Sequence, residues 1–187
     1  MPVRQPDTDR FRFWEVAGAA HGPRLHMERI MPKMARDGAV LPASFDPAFL
    51  GPVPWAPVLD SALAQFPVWL DGGAAPSHQP LIEVTGSPAQ IVRDANGNAL
   101  GGVRVPEHDV TFTRNVGALE EAGPAGLLGI WSPLPDDVIR SLYRDQADYV
   151  AQFTSSAEAA RSCGVLRAVE AAESIAAASA RKVPAFQ

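Results

Sequence analysis

Phe11-Arg12-Phe13-Trp14-Glu15-Val16-Ala17, closed by Gly18 and followed by Ala19-Ala20-His21-Gly22-Pro23, holds the densest run of aromatic and β-branched residues near the start of this chain. Such residues fit a pleated, half-buried surface, and glycine ends the run, so the stretch predicts a strand followed by a turn. His21 then stands on the loop just past the strand. A catalytic base can occupy such a place, held by the sheet and open to solvent at its edge. A purely structural histidine satisfies the same spacing, and the residues alone do not separate the two.

Outward from that stretch, residues 23 to 55 carry several prolines and no sustained apolar period. They read as a long connection with a short helical piece around Arg24 to Met34. Val58, Leu59, Ala62, Leu63, Phe66, Trp69 and Leu70 then recur at helical spacing, predicting one amphipathic helix from Pro57 to Leu70. Proline suits its first position and Gly72-Gly73 its end, whereas Pro67 predicts a kink or break. From Leu81 to Thr113 the pattern changes to short strands: Leu81–Val84, Gln90–Arg93, Gly101–Val105 and Val110–Thr113. Asn96-Gly97 supplies a hairpin turn, so the section reads as a small β meander. A Gly/Pro-rich loop from Gly123 to Pro135 leads into helices. One begins at Asp136-Asp137, one is capped by Asp145 and ended by Gly164, and the last runs from about Ala168 to Ala180. The fold class is therefore α/β or α+β, with residues 1–75 and 76–187 as two sections of one compact unit.

Composition narrows the function. The 187 residues are 47% hydrophobic and 20% charged, which suits a globular core rather than disorder. The net charge of −5, with no basic run, argues against nucleic acid and anionic membranes as partners. No stretch reaches the roughly 20 apolar residues of a membrane span. The polar N-terminus has no signal-peptide core, so the default expectation is cytoplasmic. The single cysteine, Cys163, excludes an internal disulfide and reads as a small, semi-buried residue.

The chemistry is sparse. His21, His26, His78 and His108 make no metal-ligand pattern, and no metal or cofactor is expected. Asp94-Ala95-Asn96-Gly97-Asn98 imitates a calcium loop, but Ala99 and Val105 stand where glycine and a carboxylate are needed. Gly101-Gly102 lacks the lysine and helix of a phosphate loop. Asp136-Asp137 and Glu120-Glu121 read as solvated charges. No Gly-x-Ser-x-Gly elbow occurs; Ser87 comes nearest but is followed by Pro88-Ala89, and Ser44, Ser61 and Ser132 have no supporting context.

Three segments together resemble a bacterial α/β-hydrolase-domain family. They are Phe13 to His21, the Asn98-Ala99-Leu100-Gly101-Gly102-Val103-Arg104-Val105-Pro106 run, and Leu142 to Val150, in the family's order within about Arg10 to Ala178. In such hydrolases the triad runs serine, acid, histidine along the chain. The resemblance thus implies that His21 is the histidine and that serine and acid lie upstream of Met1. It implies the C-terminal piece of an α/β-hydrolase fold, one core strand plus a helix, followed by a family-specific extension. It also implies a serine ester hydrolase acting on a small ester or related acyl compound, inactive as this piece alone and prone to self-association for want of an N-terminal half. Trp14 and Glu15 would take packing or supporting roles. Two other readings stay open: a non-enzymatic binding or assembly module derived from a hydrolase tail, and a chain completed by a separate partner carrying serine and acid.

Overall fold

Backbone hydrogen bonding in the middle of the chain is shared between two short antiparallel ladders and a set of single bridges. The computed structural model describes residues 4–39, 46–118 and 126–187. Strand β1 (Val84–Thr85) pairs with β2 (Gln90–Ile91), Val84 opposite Ile91 and Thr85 opposite Gln90. Bridges between Arg93 and Ala99 and between Ile82 and Gly101 extend the meander on either side. The hairpin expected at Asn96-Gly97 is present: the Gly97 N–H donates to Asp94 O at 3.0 Å, and Asp94 Oδ1 accepts from the amides of Asn96 and Asn98.

The next strand lies further along than its alternation suggests. Pro106, which has no N–H to lose, opens the one-turn helix α3 (Pro106–Asp109). The Val110 amide closes that turn onto Pro106 O at 2.9 Å. The strand therefore starts only at Thr113: β3 (Thr113–Val116) pairs antiparallel with β4 (Ile130–Pro133), from Thr113 opposite Pro133 to Val116 opposite Ile130. β4 falls inside the stretch expected to be loop. Pro133 is tolerated there because it ends the strand, where a missing donor costs least.

The stretch Phe11–Ala17 is extended but is not a regular strand. It makes one parallel bridge, Val16 with Val103. Ala17 N–H donates to Val103 O at 3.0 Å and Val103 N–H donates to Glu15 O at 2.7 Å. Gly101-Gly102 allows this approach. At Gly102, φ is +71°, and a Cβ would lie 2.8 Å from Glu15 O and 2.7 Å from Ile82 Cγ1. The Glu15 carboxylate accepts from Arg4 at 2.9 and 2.6 Å and from the Ile82 amide at 2.8 Å, tying the segment to the meander.

Helices supply most of the remainder. They are α1 (Arg24–Arg36), α2 (Ala56–Leu70), α4 (Asp136–Leu142), α5 (Gln146–Ser162) and α6 (Ala168–Ala180). Asp145 caps α5, accepting from the Asp148 amide at 2.8 Å, and Tyr149, Phe153, Ala157 and Ala160 are buried at helical spacing. The whole is a mixed, α+β arrangement of helices with small antiparallel sheets. No described helix is long and apolar enough to cross a membrane.

Among the described residues, two buried clusters form the core. One joins Val53, Val58, Val103, Val105, Ala157 and Leu166, with Trp14 and Val16 packed against it. The other gathers Tyr149, Phe153, Ile139, Tyr143, Val110 and Val183. Of the kink or break expected in helix α2, the break does not occur. The helix continues through Pro67 without ending, because Leu63 and Pro67 are exposed and the carbonyl freed by proline can face water. Its apolar stripe is also turned outward: only Val58 and Ser61 are buried, while Leu59, Leu63, Phe66 and Leu70 are exposed.

Candidate functional site around His21

His21 lies in the bend between the extended stretch and α1, with its side chain exposed. Its main chain is held from two sides. The His21 amide donates to Leu127 O at 2.9 Å, and its carbonyl accepts from the Trp55 indole at 3.1 Å. Pro23 caps the next helix in extended geometry, and the Arg24 amide donates to Gly51 O at 3.0 Å. The His26 ring rests against Trp55, with centroids 5.2 Å apart. A clamped backbone carrying an unobstructed imidazole suits proton transfer to a group arriving from outside. Among the described residues, no carboxylate holds the ring in one tautomer, as the acid of a triad would.

The turn before His21 rests on a second histidine that sequence reasoning did not single out. His108, in α3, is fully buried, and its Nε2 lies 3.0 Å from Ala99 O. A carbonyl only accepts, so Nε2 carries the proton and Nδ1 is the bare nitrogen. Nδ1 has no partner and lies directly beneath Gly18, where a Cβ would come within 2.3 Å of it. Gly18 has φ +71°, so both its backbone and the ring below require glycine. The available signal was weak: His108 falls between Val105 and Val110 in a turn opened by Pro106, but Glu107 and Asp109 flank it.

Burial holds the His108 imidazole below its ordinary pKa, outweighing the carbonyl of Ala99. A proton on Nδ1 would also find no acceptor there. The unfolded imidazole takes up a proton below about pH 6.5 while the folded one resists it, so stability falls as the pH drops through that value. We expect urea midpoints to decline between pH 7.5 and 5.5, by at most about 1.4 kcal/mol per pH unit from this group. His108→Gln should flatten that slope. An unchanged slope would show that His108 does not carry it.

The other residues marked by sequence disperse. His78 meets Asp7, Nδ1 to Oδ2 at 2.7 Å, on the surface. Ser61 is buried and donates to Gly164 O at 2.8 Å, which removes it as a nucleophile. Ser132 is exposed on β4, and Ser87 sits in the turn between β1 and β2. Cys163 is exposed rather than semi-buried, standing just past the last residue of α5 and outside both buried clusters. Asp136 and Asp137 are exposed in the first turn of α4. Ser44, Glu120 and Glu121 lie outside the described residues, as does the start of the expected Gly123–Pro135 loop. No three His, Cys, Asp or Glu side chains converge among the described residues.

No curated protein and no solved structure matches this chain. A family model described as an alpha/beta hydrolase domain matches residues 1–176, nearly the whole length and all three segments from Phe13 to Val150. The chain belongs to the alpha/beta hydrolase domain family.

Proposed function

We propose that this chain is the histidine-bearing C-terminal part of a serine ester hydrolase, with His21 as general base and both serine and acid supplied by polypeptide outside these 187 residues. The observation that carries this reading is the exposed His21 imidazole on a clamped turn, in a chain with no Gly-x-Ser-x-Gly sequence. In the completed enzyme, a serine hydroxyl would lose its proton to His21 Nε2 as it attacks an acyl carbonyl. The protonated ring would then return that proton to the departing alcohol. The outward face of α2 supports the same reading. Leu59, Leu63, Phe66 and Leu70, at helical spacing, form an exposed apolar strip, which a further part of a hydrolase core would cover.

The test is intact-mass analysis after exposure to a fluorophosphonate probe. The folded chain alone should gain no mass. The same chain joined to, or mixed with, polypeptide carrying a Gly-x-Ser-x-Gly elbow should be labelled on that serine, and His21→Ala should slow labelling by roughly 10³-fold or more. Labelling of the isolated chain would refute the reading, as would undiminished labelling with His21→Ala.

A second reading has its own observation. Val16 finds its bridging partner, Val103, within this chain, and Trp14 and Val16 pack on its first cluster. A segment satisfied in this way also suits a self-sufficient binding module, in which His21→Ala alters no chemistry. The labelling experiment separates the two.

A further inference from the structure

A cleft of about 180 Å³ opens between α1, α3, β3, β4 and the end of α6. The chain is net negative, yet Arg24, Arg181 and Lys182 all border this one cleft. Among the described residues, none of the three forms an ion pair with a carboxylate, although ten such pairs occur elsewhere.

Two of the cations are fixed by aromatic faces. The Arg24 guanidinium lies 5.5 Å from the Trp131 ring centre, and Arg181 lies 5.9 Å from that of Phe112. Arg24 Nη2 also donates to Ala48 O at 2.6 Å, while its Nε is buried without any partner. An unpartnered buried donor of this kind is costly unless something accepts from it. The carboxyl on the cleft wall, Glu107, lies in the field of Arg181 but forms no ion pair with any of the three cations. It borders a second cleft as well and accepts from the Ser174 hydroxyl, and burial favours its protonated form.

We propose that this cleft binds a small organic carboxylate with a flat apolar body. Planar guanidinium groups match a carboxylate's two oxygens, and Lys182 adds a mobile third charge. Val110, Phe112 and Trp131 provide apolar walls for the ligand's body. The volume suits a single ring or a short acyl chain, not an extended ligand. The inference stands on this cleft alone and does not depend on the role of His21.

The test is a titration of the chain with benzoate, and separately with the uncharged analogue benzamide, followed by amide-correlation NMR. Benzoate should shift the amides of Thr111 and Phe112 and the Trp131 indole, and should bind roughly tenfold or more tightly than benzamide. The double variant Arg181→Gln/Lys182→Gln changes only exposed side chains and should fold normally, while weakening benzoate by roughly tenfold or more. Arg10→Gln, at a side chain 92% exposed outside the cleft, should leave binding unchanged. Equal affinity for the two ligands, shifts that map elsewhere, no saturable shift, or full affinity in the double variant would each overturn the proposal.

Discussion

Gly18→Ala is expected to destabilise the chain by about 2–5 kcal/mol, measured by urea unfolding. Two costs combine. An L-residue held at φ +71° loses roughly 1–2 kcal/mol. The new methyl would also stand 2.3 Å from His108 Nδ1, and making room in a close-packed site costs roughly 1–3 kcal/mol more. The ring cannot swing aside, because Nε2 is tied to Ala99 O and the side chain is fully buried. A double-mutant cycle with His108→Ala isolates the second cost. Removing the ring should make Gly18→Ala cheaper, leaving the backbone strain alone. Equal costs in the two backgrounds would mean that His108 does not support the turn. Gly18→Ala should also loosen the clamp on His21, visible as faster hydrogen exchange at the His21 amide.

Asn98→Ala ranks second, at about 2–4 kcal/mol. The buried Asn98 side chain links the hairpin to β3. Its Oδ1 accepts from the Asn115 amide at 2.8 Å, and its Nδ2 donates to Thr113 O at 3.0 Å. Truncation strands the buried Asn115 amide, at roughly 1–3 kcal/mol, and leaves Thr113 O only the longer 3.4 Å bonds from Thr111 Oγ1 and Asn115 Nδ2. Asn98→Asp should fare little better, since it keeps the acceptor but buries a charge facing a carbonyl. The control is Asn96→Ala, two residues away in the same turn. It leaves the backbone bond to Asp94 intact and should cost less than about 1 kcal/mol. If both alanine variants cost the same, the link between hairpin and β3 is not what stabilises this region.

The helical C-terminal part was legible because its signals are local. Asp145 as a cap, Gly164 as a stop, and Tyr149, Phe153, Ala157 and Ala160 at helical spacing all act within one or two turns. The sheets were less legible because pairing depends on distant residues. Val110–Thr113 alternates well enough for a strand, but Pro106 nucleates a helical turn whose closing amide is Val110 itself, which moves the strand to Thr113. Ile130–Pro133 looks like loop until β3 offers it a partner. Periodicity located α2, but spacing shows only that a face is apolar, not whether anything packs on it. At the candidate site, His21 was marked as a candidate from its place after an aromatic run. His108 was passed over because Glu107 and Asp109 beside it suggest a surface turn, and only the fold shows Gly18 lying over its ring.

The parallel bridge between Val16 and Val103 also sets an order in time. During synthesis, residues 11 to 21 leave the ribosome long before Val103 is made, and until then Glu15 O and the Ala17 amide have no bridging partner. The Gly18 turn likewise waits for His108, and the His21 amide for Leu127. The turn bearing His21 is therefore complete only once Leu127 has been made. A ribosome stalled before residue 103 would display this aromatic segment unpaired, which makes it a natural target for a chaperone that reads exposed hydrophobic strands.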